Sequence, residues 1–212
     1  MQLVTISDTH GLNFADESRY AGADCLIHAG DFSYVGTLGE LHEFLEWFKA
    51  IDVPHKILVA GNHDFALVHD RGEALRAIAD AGVVYLEDSG CEIDGVKFWG
   101  SPWTLRYGDW AFMDEDPQLY PIFQQIPLDT AVLITHGPPQ GKLDNVARSF
   151  KSFSTGSRTL YNRVKEVSPK LHIFGHIHPN HGVIEGNPTT YVNASICDDA
   201  LRPAFSPICL SL

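Results

Sequence analysis

Five short runs along the chain are rich in apolar residues: LVTIS (3–7), DCLIHA (24–29), HKILVA (55–60), AVLIT (131–135) and LHIF (171–174). Short Val-, Ile- and Leu-rich runs of this kind are the pattern of strands buried on both faces. Between them the period changes. Leu38, Leu41, Phe44, Leu45 and Phe48 recur at helical spacing between Gly36 and Ala50, which predicts a helix with one apolar face. Residues Glu73 to Asp80 predict a second helix, stopped near Gly82, and Gln118 to Gln125 and Ser157 to Val167 carry weaker helical spacing.

After Gly82 the texture shifts. VVYLE, GCEIDGVKFWGS and HGVIEGNPTTYVNAS read as antiparallel hairpins, with Asp94-Gly95 and Gly186-Asn187 as turn signals. PICLSL at the C-terminus predicts a last strand. The whole predicts an α/β fold: a parallel βαβ half joined to antiparallel strands, with helices outside. No repeat, low-complexity tract or linker interrupts it, so residues 1–212 are expected to form one domain.

Composition narrows the partners. The 212 residues carry a formal net charge of -12, which argues against duplex nucleic acid or an anionic membrane as partner. Cys25, Cys91, Cys197 and Cys209 form no CxxC pair, the usage of reduced thiols rather than of a disulfide framework. The first residues run straight into a strand pattern with no leader-like segment, and no apolar stretch approaches membrane-spanning length. A cytoplasmic location is expected.

The candidate chemistry lies where the apolar runs stop. LVTIS runs into Asp8-Thr9-His10-Gly11, and DCLIHA into Gly30-Asp31. HKILVA runs into Gly61-Asn62-His63-Asp64, AVLIT into His136-Gly137-Pro138-Pro139, and LHIF into Gly175-His176-Ile177-His178. Ligands of open α/β sheets bind outside the carboxyl ends of the strands. Asp, His and Asn are metal-ligand types, and Gly lets backbone crowd a site. One Asp-x-His or Gly-His-x-His is a weak signal; five such motifs at five strand ends point jointly to a metal centre.

This order of motifs resembles the calcineurin-like metallophosphoesterase superfamily, whose pattern is D-x-H, G-D, G-N-H-[DE], H and G-H-x-H. The segments HAGDFS (28–33), YLEDSG (85–90), WGSPW (99–103), ITHGPP (134–139), LHIFGHIH (171–178) and TTYVNAS (189–195) are similar to its metallophosphoesterase-domain-containing metallophosphodiesterase subfamily. The resemblance implies a four-layer αββα sandwich of mixed sheets. It implies one metal held by Asp8, His10, Asp31 and His178. A second is held by Asp31, Asn62, His136 and His176, with Asp31 bridging. Manganese is the first expectation; iron, zinc, cobalt, nickel and magnesium remain open, since availability selects among them.

Two carboxylates and a hydroxide against two divalent ions leave about +1 in the shell, which favours a phosphate anion. The implied reaction is hydrolysis of a small phosphodiester, a 2′,3′- or 3′,5′-cyclic nucleotide, by in-line attack of a metal-bridging hydroxide. In the family, the histidine equivalent to His63 protonates the leaving oxygen and the acidic residue after it, here Asp64, orients its ring. The alternative for His63 is a hydrogen bond to phosphate. Rival functions are a phosphomonoesterase or broad-specificity phosphatase and, more distantly, a non-catalytic protein-interaction scaffold.

Other residues divide between bland and functional readings. His28 sits inside a strand and packs or braces a ligand carboxylate. His172 is read as structural and His181 as exposed, while His42, His55 and His69 need no function. Trp103 either fills core or stacks on a nucleobase. Lys142, Arg148, Lys151 and Arg158 make residues 141–158 unusually basic, either as a solvated loop or as a lid over phosphate. Asn62, His63, Trp103 and Arg148 are the candidate substrate contacts. Between Tyr107 and Pro127 the chain departs from the subfamily pattern, so no contact is carried over there.

Overall fold

The computed structural model describes residues 1–13, 17–148 and 151–212, without the side chains of residues 17, 147, 148 and 151. The first half of the chain contains β1 (Gln2–Ile6), β2 (Cys25–Ala29), α1 (Leu38–Ala50), β3 (His55–Val59), α2 (Ala66–His69), α3 (Arg71–Asp80), β4 (Val84–Tyr85), β5 (Ser89–Ile93) and β6 (Val96–Ser101). The second half contains β7 (Thr104–Leu105), β8 (Met113–Asp114), α4 (Asp116–Phe123), β9 (Val132–Thr135), β10 (Asn145–Arg148), β11 (Lys151–Ser154) and α5 (Arg158–Val167). It continues with β12 (Leu171–Phe174), β13 (Gly182–Ile184), β14 (Thr190–Asn193) and β15 (Ile208–Ser211).

Two sheets carry the fold. One has the order β15-β1-β2-β3-β4 and the other β13-β14-β12-β9-β6-β5. Alternation along the buried strands explains the layering. In β2, Cys25, Ile27 and Ala29 point at the opposite sheet, where they meet Val132, Ile134 and Ile173. Leu26 on the other face joins Leu41, Phe44, Leu45 and Phe48 of α1. Beyond the second sheet, Phe174 and Leu133 pack against Leu119 and Phe123 of α4 and Leu160 and Val164 of α5. Helix, sheet, sheet and helix thus form the expected four-layer αββα sandwich.

The five apolar runs all form strands within a residue or so of their expected ends, and all four expected helices form. Asp94 and Gly95 take φ of 50° and 77°, as the β5–β6 hairpin turn requires. Two expectations are corrected. VVYLE is no hairpin: Val84 and Tyr85 pair parallel to Ile57 and Leu58 of β3. A helical crossover through α2 and α3 returns the chain to the end where β3 began, so the next strand can only run parallel. The second sheet is likewise parallel at its centre, β14-β12-β9-β6, and antiparallel only at β13 and β5. There α4 and α5 are the crossovers.

The sheets meet at the carboxyl ends of their strands. Ser7 after β1 bridges Ser195 after β14, and Ile196 N donates to Ser7 O at 2.9 Å. That junction brings the polar strand ends of both sheets to one place. Among the described residues, no helix is long and apolar enough to cross a membrane.

Helix α1, which covers the first sheet, starts on a reciprocal cap. Glu40 N donates to Thr37 Oγ1 at 3.2 Å, and Thr37 N donates to Glu40 Oε2 at 2.9 Å. Thr37→Ala is expected to lower stability by about 1 kcal/mol, read as a lower urea midpoint with an unchanged slope.

Candidate metal centre

Four of the expected ligands sit in left-handed backbone: Asp8 (φ 55°), His10 (45°), Asp31 (56°) and His176 (69°). A non-glycine residue there costs on the order of 1 kcal/mol, so the conformation persists only where surroundings enforce it. Here the strand-end loops enforce one another. Asp8 N donates to Gly30 O at 2.9 Å, His10 N to Asp31 O at 3.1 Å, and Gly11 N to Phe32 O at 2.8 Å. The motif glycines leave room for carboxylates: a Cβ at Gly61 would overlap Asp31 Oδ1, and one at Gly175 would overlap Asp8 Oδ2.

The side chains gather into two groups able to hold an ion, Asp8–His10–His178 and Asp31–His136–His176, with ligand atoms within 4.8 Å of one another. A third combination, His10–Asp31–His63, lies between them. His178 Nε2 is 3.3 Å from Asp8 Oδ1, and His136 Nε2 is 3.3 Å from Asp31 Oδ2. Asn62 turns Oδ1 to within 3.0 Å of His136 Nε2. His10 Nε2 lies 3.2 Å from His178 Nε2, and buried His10 Nδ1 has no hydrogen-bond partner among the described residues. Imidazole nitrogens and hard oxygens converging in this way suit divalent ions that accept both donor types. The donor set therefore fits divalent ions, and Asp31 belongs both to the group with His136 and His176 and to the combination with His10 and His63.

Outer contacts settle which nitrogen faces inward. Nδ1 of His136 meets Ala29 O at 3.0 Å, Nδ1 of His178 meets Asp198 O at 3.0 Å, and Nδ1 of His63 meets Tyr34 O at 2.7 Å. Each Nδ1–H donates to a main-chain carbonyl, which leaves Nε2 as the inward donor atom. Burial alone would raise the Asp8 and Asp31 carboxyls, but hydrogen bonds and charge from His178 and His136 hold both well below the usual carboxylate range. The same pairs overcome burial at the imidazoles and lift His136 and His178 to about 9.

Several expected roles change. Asp64 does not orient His63. Its carboxylate accepts from Asp31 N (3.0 Å), Ser33 N (3.1 Å), Gly61 N (2.7 Å) and Ser33 Oγ (2.7 Å), so it ties the loop after β3 to the loop after β2. Burial and the Asp31 charge push Asp64 up to about 7, against the four donors that favour its anion. Trp103 is no open stacking surface: its Nε1 donates to Asp88 Oδ2 at 2.9 Å and its ring stands edge-on to Phe112. His181 is half-buried rather than exposed, stacked flat on Phe205 with Nδ1 2.8 Å from Ser195 O.

Among the described residues, none of the remaining histidines belongs to a ligand group. His28 packs among Phe32, Phe44 and Phe48, and it holds Thr9 Oγ1 at 3.0 Å. Buried His172 contacts Thr135 Oγ1 at 2.9 Å. His42 and His69 are exposed, and His55 opens β3 half-buried.

The basic stretch forms the β10–β11 hairpin, anchored by the buried Asp144 carboxylate, which accepts from Gly141 N (2.9 Å) and Gly156 N (3.0 Å). Lys142 lies over the Tyr191 ring. The Arg148 side chain, a candidate substrate contact, lies outside the described residues, as do Ser149 and Phe150.

Three further residues reach the site from segments where spacing carries no signal. Tyr107, 60% exposed, accepts from Asn62 Nδ2 at 3.2 Å, and its ring centroid is 5.5 Å from that of His176. Trp110 stacks on His63 at 4.4 Å between centroids. Ser195 Oγ donates to Asp8 Oδ2 at 2.7 Å; it lies in the TTYVNAS segment, the one place where the sequence offered a hint.

The family model described as calcineurin-like phosphoesterase matches residues 1–180. The chain is 37% identical over 220 residues to UPF0046 protein K07C11.7 of Caenorhabditis elegans, covering 98% of this chain and 74% of that protein. It is 34% identical over 235 residues to human metallophosphoesterase domain-containing protein 1, covering 100% of this chain and 71% of the relative. Among solved structures, that of TT1561 from Thermus thermophilus superimposes with a TM-score of 0.66 at 13% identity, over 91% of this chain and 88% of the other. At that identity the likeness speaks for the fold.

The raised His136 and His178 values carry a consequence for ion uptake. At neutral pH both imidazoles are protonated before an ion arrives, and a metal ion binds only the neutral ring. Loading both groups at pH 7 is expected to release roughly two protons, and affinity is expected to rise with pH until about 9. Calorimetric titration in buffers of different ionisation heat reads this directly; uptake with no proton release would contradict it.

Proposed function

The chain belongs to the calcineurin-like phosphoesterase family, and on that premise we propose that it hydrolyses a small phosphodiester, a 2′,3′- or 3′,5′-cyclic nucleotide, with two divalent ions. The observation that carries the reading is the pair of ligand groups, Asp8–His10–His178 and Asp31–His136–His176, brought together around Asp31. Bound there, two divalent ions would activate a water and stabilise charge on the phosphoryl oxygens.

The chain's own residues supply the rest. His63 is fixed through Nδ1 on Tyr34 O and flanked by Trp110, which leaves Nε2 free to hold a proton for the leaving oxygen. Asp64 acts at a distance, by holding the His63 loop against Asp31 and Ser33.

A diester is favoured over a monoester by charge. Among the described residues, no lysine or arginine contacts Asp8, His10, Asp31, Asn62, His136, His176 or His178. A diester brings one negative charge to the ions, whereas a monoester dianion brings a second, which among the described residues no lysine or arginine at these ligands meets. Manganese is the proposed ion; the mixed nitrogen and oxygen donors are compatible with it, as they are with iron, zinc, cobalt and nickel. The free state of all four cysteines supports work in a reducing compartment such as the cytoplasm.

Mn²⁺-loaded protein is expected to hydrolyse bis-p-nitrophenyl phosphate faster than p-nitrophenyl phosphate. Asp31→Ala should abolish the reaction; equal rates in the two proteins would sink the enzyme reading, and a preference for the monoester would replace diesterase by phosphatase. His63→Gln should lower kcat by about 10²-fold or more on a cyclic nucleotide, whose alkoxide leaving group needs a proton. On the nitrophenyl ester the loss should be smaller, because nitrophenolate leaves unprotonated.

A further inference from the structure

Asn62 is the neutral amide among the candidate ligands, and a neutral amide poses a problem the carboxylates do not. Its two ends are chemically different but nearly the same shape, and only Oδ1 can bind a cation. Two contacts choose the orientation: Oδ1 faces His136 Nε2 at 3.0 Å, and Nδ2 donates to Tyr107 Oη at 3.2 Å. The first contact needs a proton on His136 Nε2, the atom that would itself bind an ion, so ion uptake removes it. The second survives. Among the described residues, Tyr107 is then the group that keeps Nδ2 turned away from the ion.

The segment bearing Tyr107 is tied to the same asparagine through its main chain. Ala111 N donates to Asn62 O at 3.1 Å, and Thr104 N and Arg106 N donate to Phe112 O and Asp114 O, both at 3.0 Å. The phenol is therefore carried on a strap anchored at its target. Tyr107 is 60% exposed as a residue, so its place is not explained by core packing.

We propose that Tyr107 is a positioning residue for the second ion: its phenol oxygen holds the Asn62 amide with Oδ1 toward the Asp31–His136–His176 group. The inference rests on reading Asn62 as an ion ligand. The test is calorimetric titration of the whole chain with Mn²⁺ alone. Tyr107→Phe, which keeps the ring and removes only the oxygen, is expected to weaken one of the two Mn²⁺ constants about fivefold and leave the other unchanged. In an Asn62→Asp background both ligand atoms are oxygen, so orientation no longer matters and Tyr107→Phe should cause no weakening.

Wild-type constants in Tyr107→Phe, or the same weakening in the Asn62→Asp background, would overturn the proposal; the latter would mean a disturbed strap. A wild-type protein that binds two Mn²⁺ ions yet cleaves no ester would remove the proposed function and leave this role standing. One that binds fewer than two would overturn both.

Discussion

Three buried carboxylates hold the strand-end loops together, and the candidate metal centre depends on them. Asp8 leaves the first sheet and accepts from His176 N and Ser195 Oγ, both on loops of the second. Asp31 accepts from His63 N at 2.8 Å, and Asp64 accepts from the main chain at Asp31, Ser33 and Gly61. A buried carboxylate needs donors, and past the ends of the strands the main-chain N–H groups have no ladder partner. Each need satisfies the other. The result is a hydrogen-bonded set of loops in which Asp8, His10, Asp31 and His176 can be kept in left-handed backbone.

The electrostatics follow from the same arrangement. Asp8 and Asp31 are both ligand candidates and loop ties, so they must stay ionised, and His178 and His136 keep them so. Main-chain carbonyls at Ala29 and Asp198 receive the outer N–H of those rings and fix the inward nitrogen. A cation entering the cluster replaces protons rather than creating charge from nothing. An acidic protein of net charge -12 can thus present a locally cation-hungry centre that turns attractive to phosphate once ions are bound.

The outer wall of the site comes from the strap between β7 and β8. It brings Tyr107 to Asn62 and Trp110 to His63, one aromatic for a candidate ligand and one for a candidate proton donor. The inner residues follow the family motifs, while the wall lies in the stretch that departs from the subfamily pattern. The candidate ligands thus come from the strand ends, and the aromatic wall beside them comes from the segment that spans two of those ends.

The sequence by itself determined the element types, the five strand ends and the residues that gather there. Buried strands need unbroken apolar runs, and ion ligation needs particular side chains beside glycines small enough to let carboxylates approach. Both demands are local and can be read along the chain. Only the tertiary structure decided partners. Val84 and Tyr85 became a parallel strand because a helix returned them beside β3. Asp64 serves three donors on the loop after β2 and one on its own loop instead of its neighbour His63, and Trp103 is claimed by Asp88. Tyr107 reaches Asn62 across forty-five positions of sequence. Hydrogen bonds and ring contacts choose whichever group the packed sheets bring within about 3 to 5 Å, and periodicity along one strand or helix carries no record of that choice.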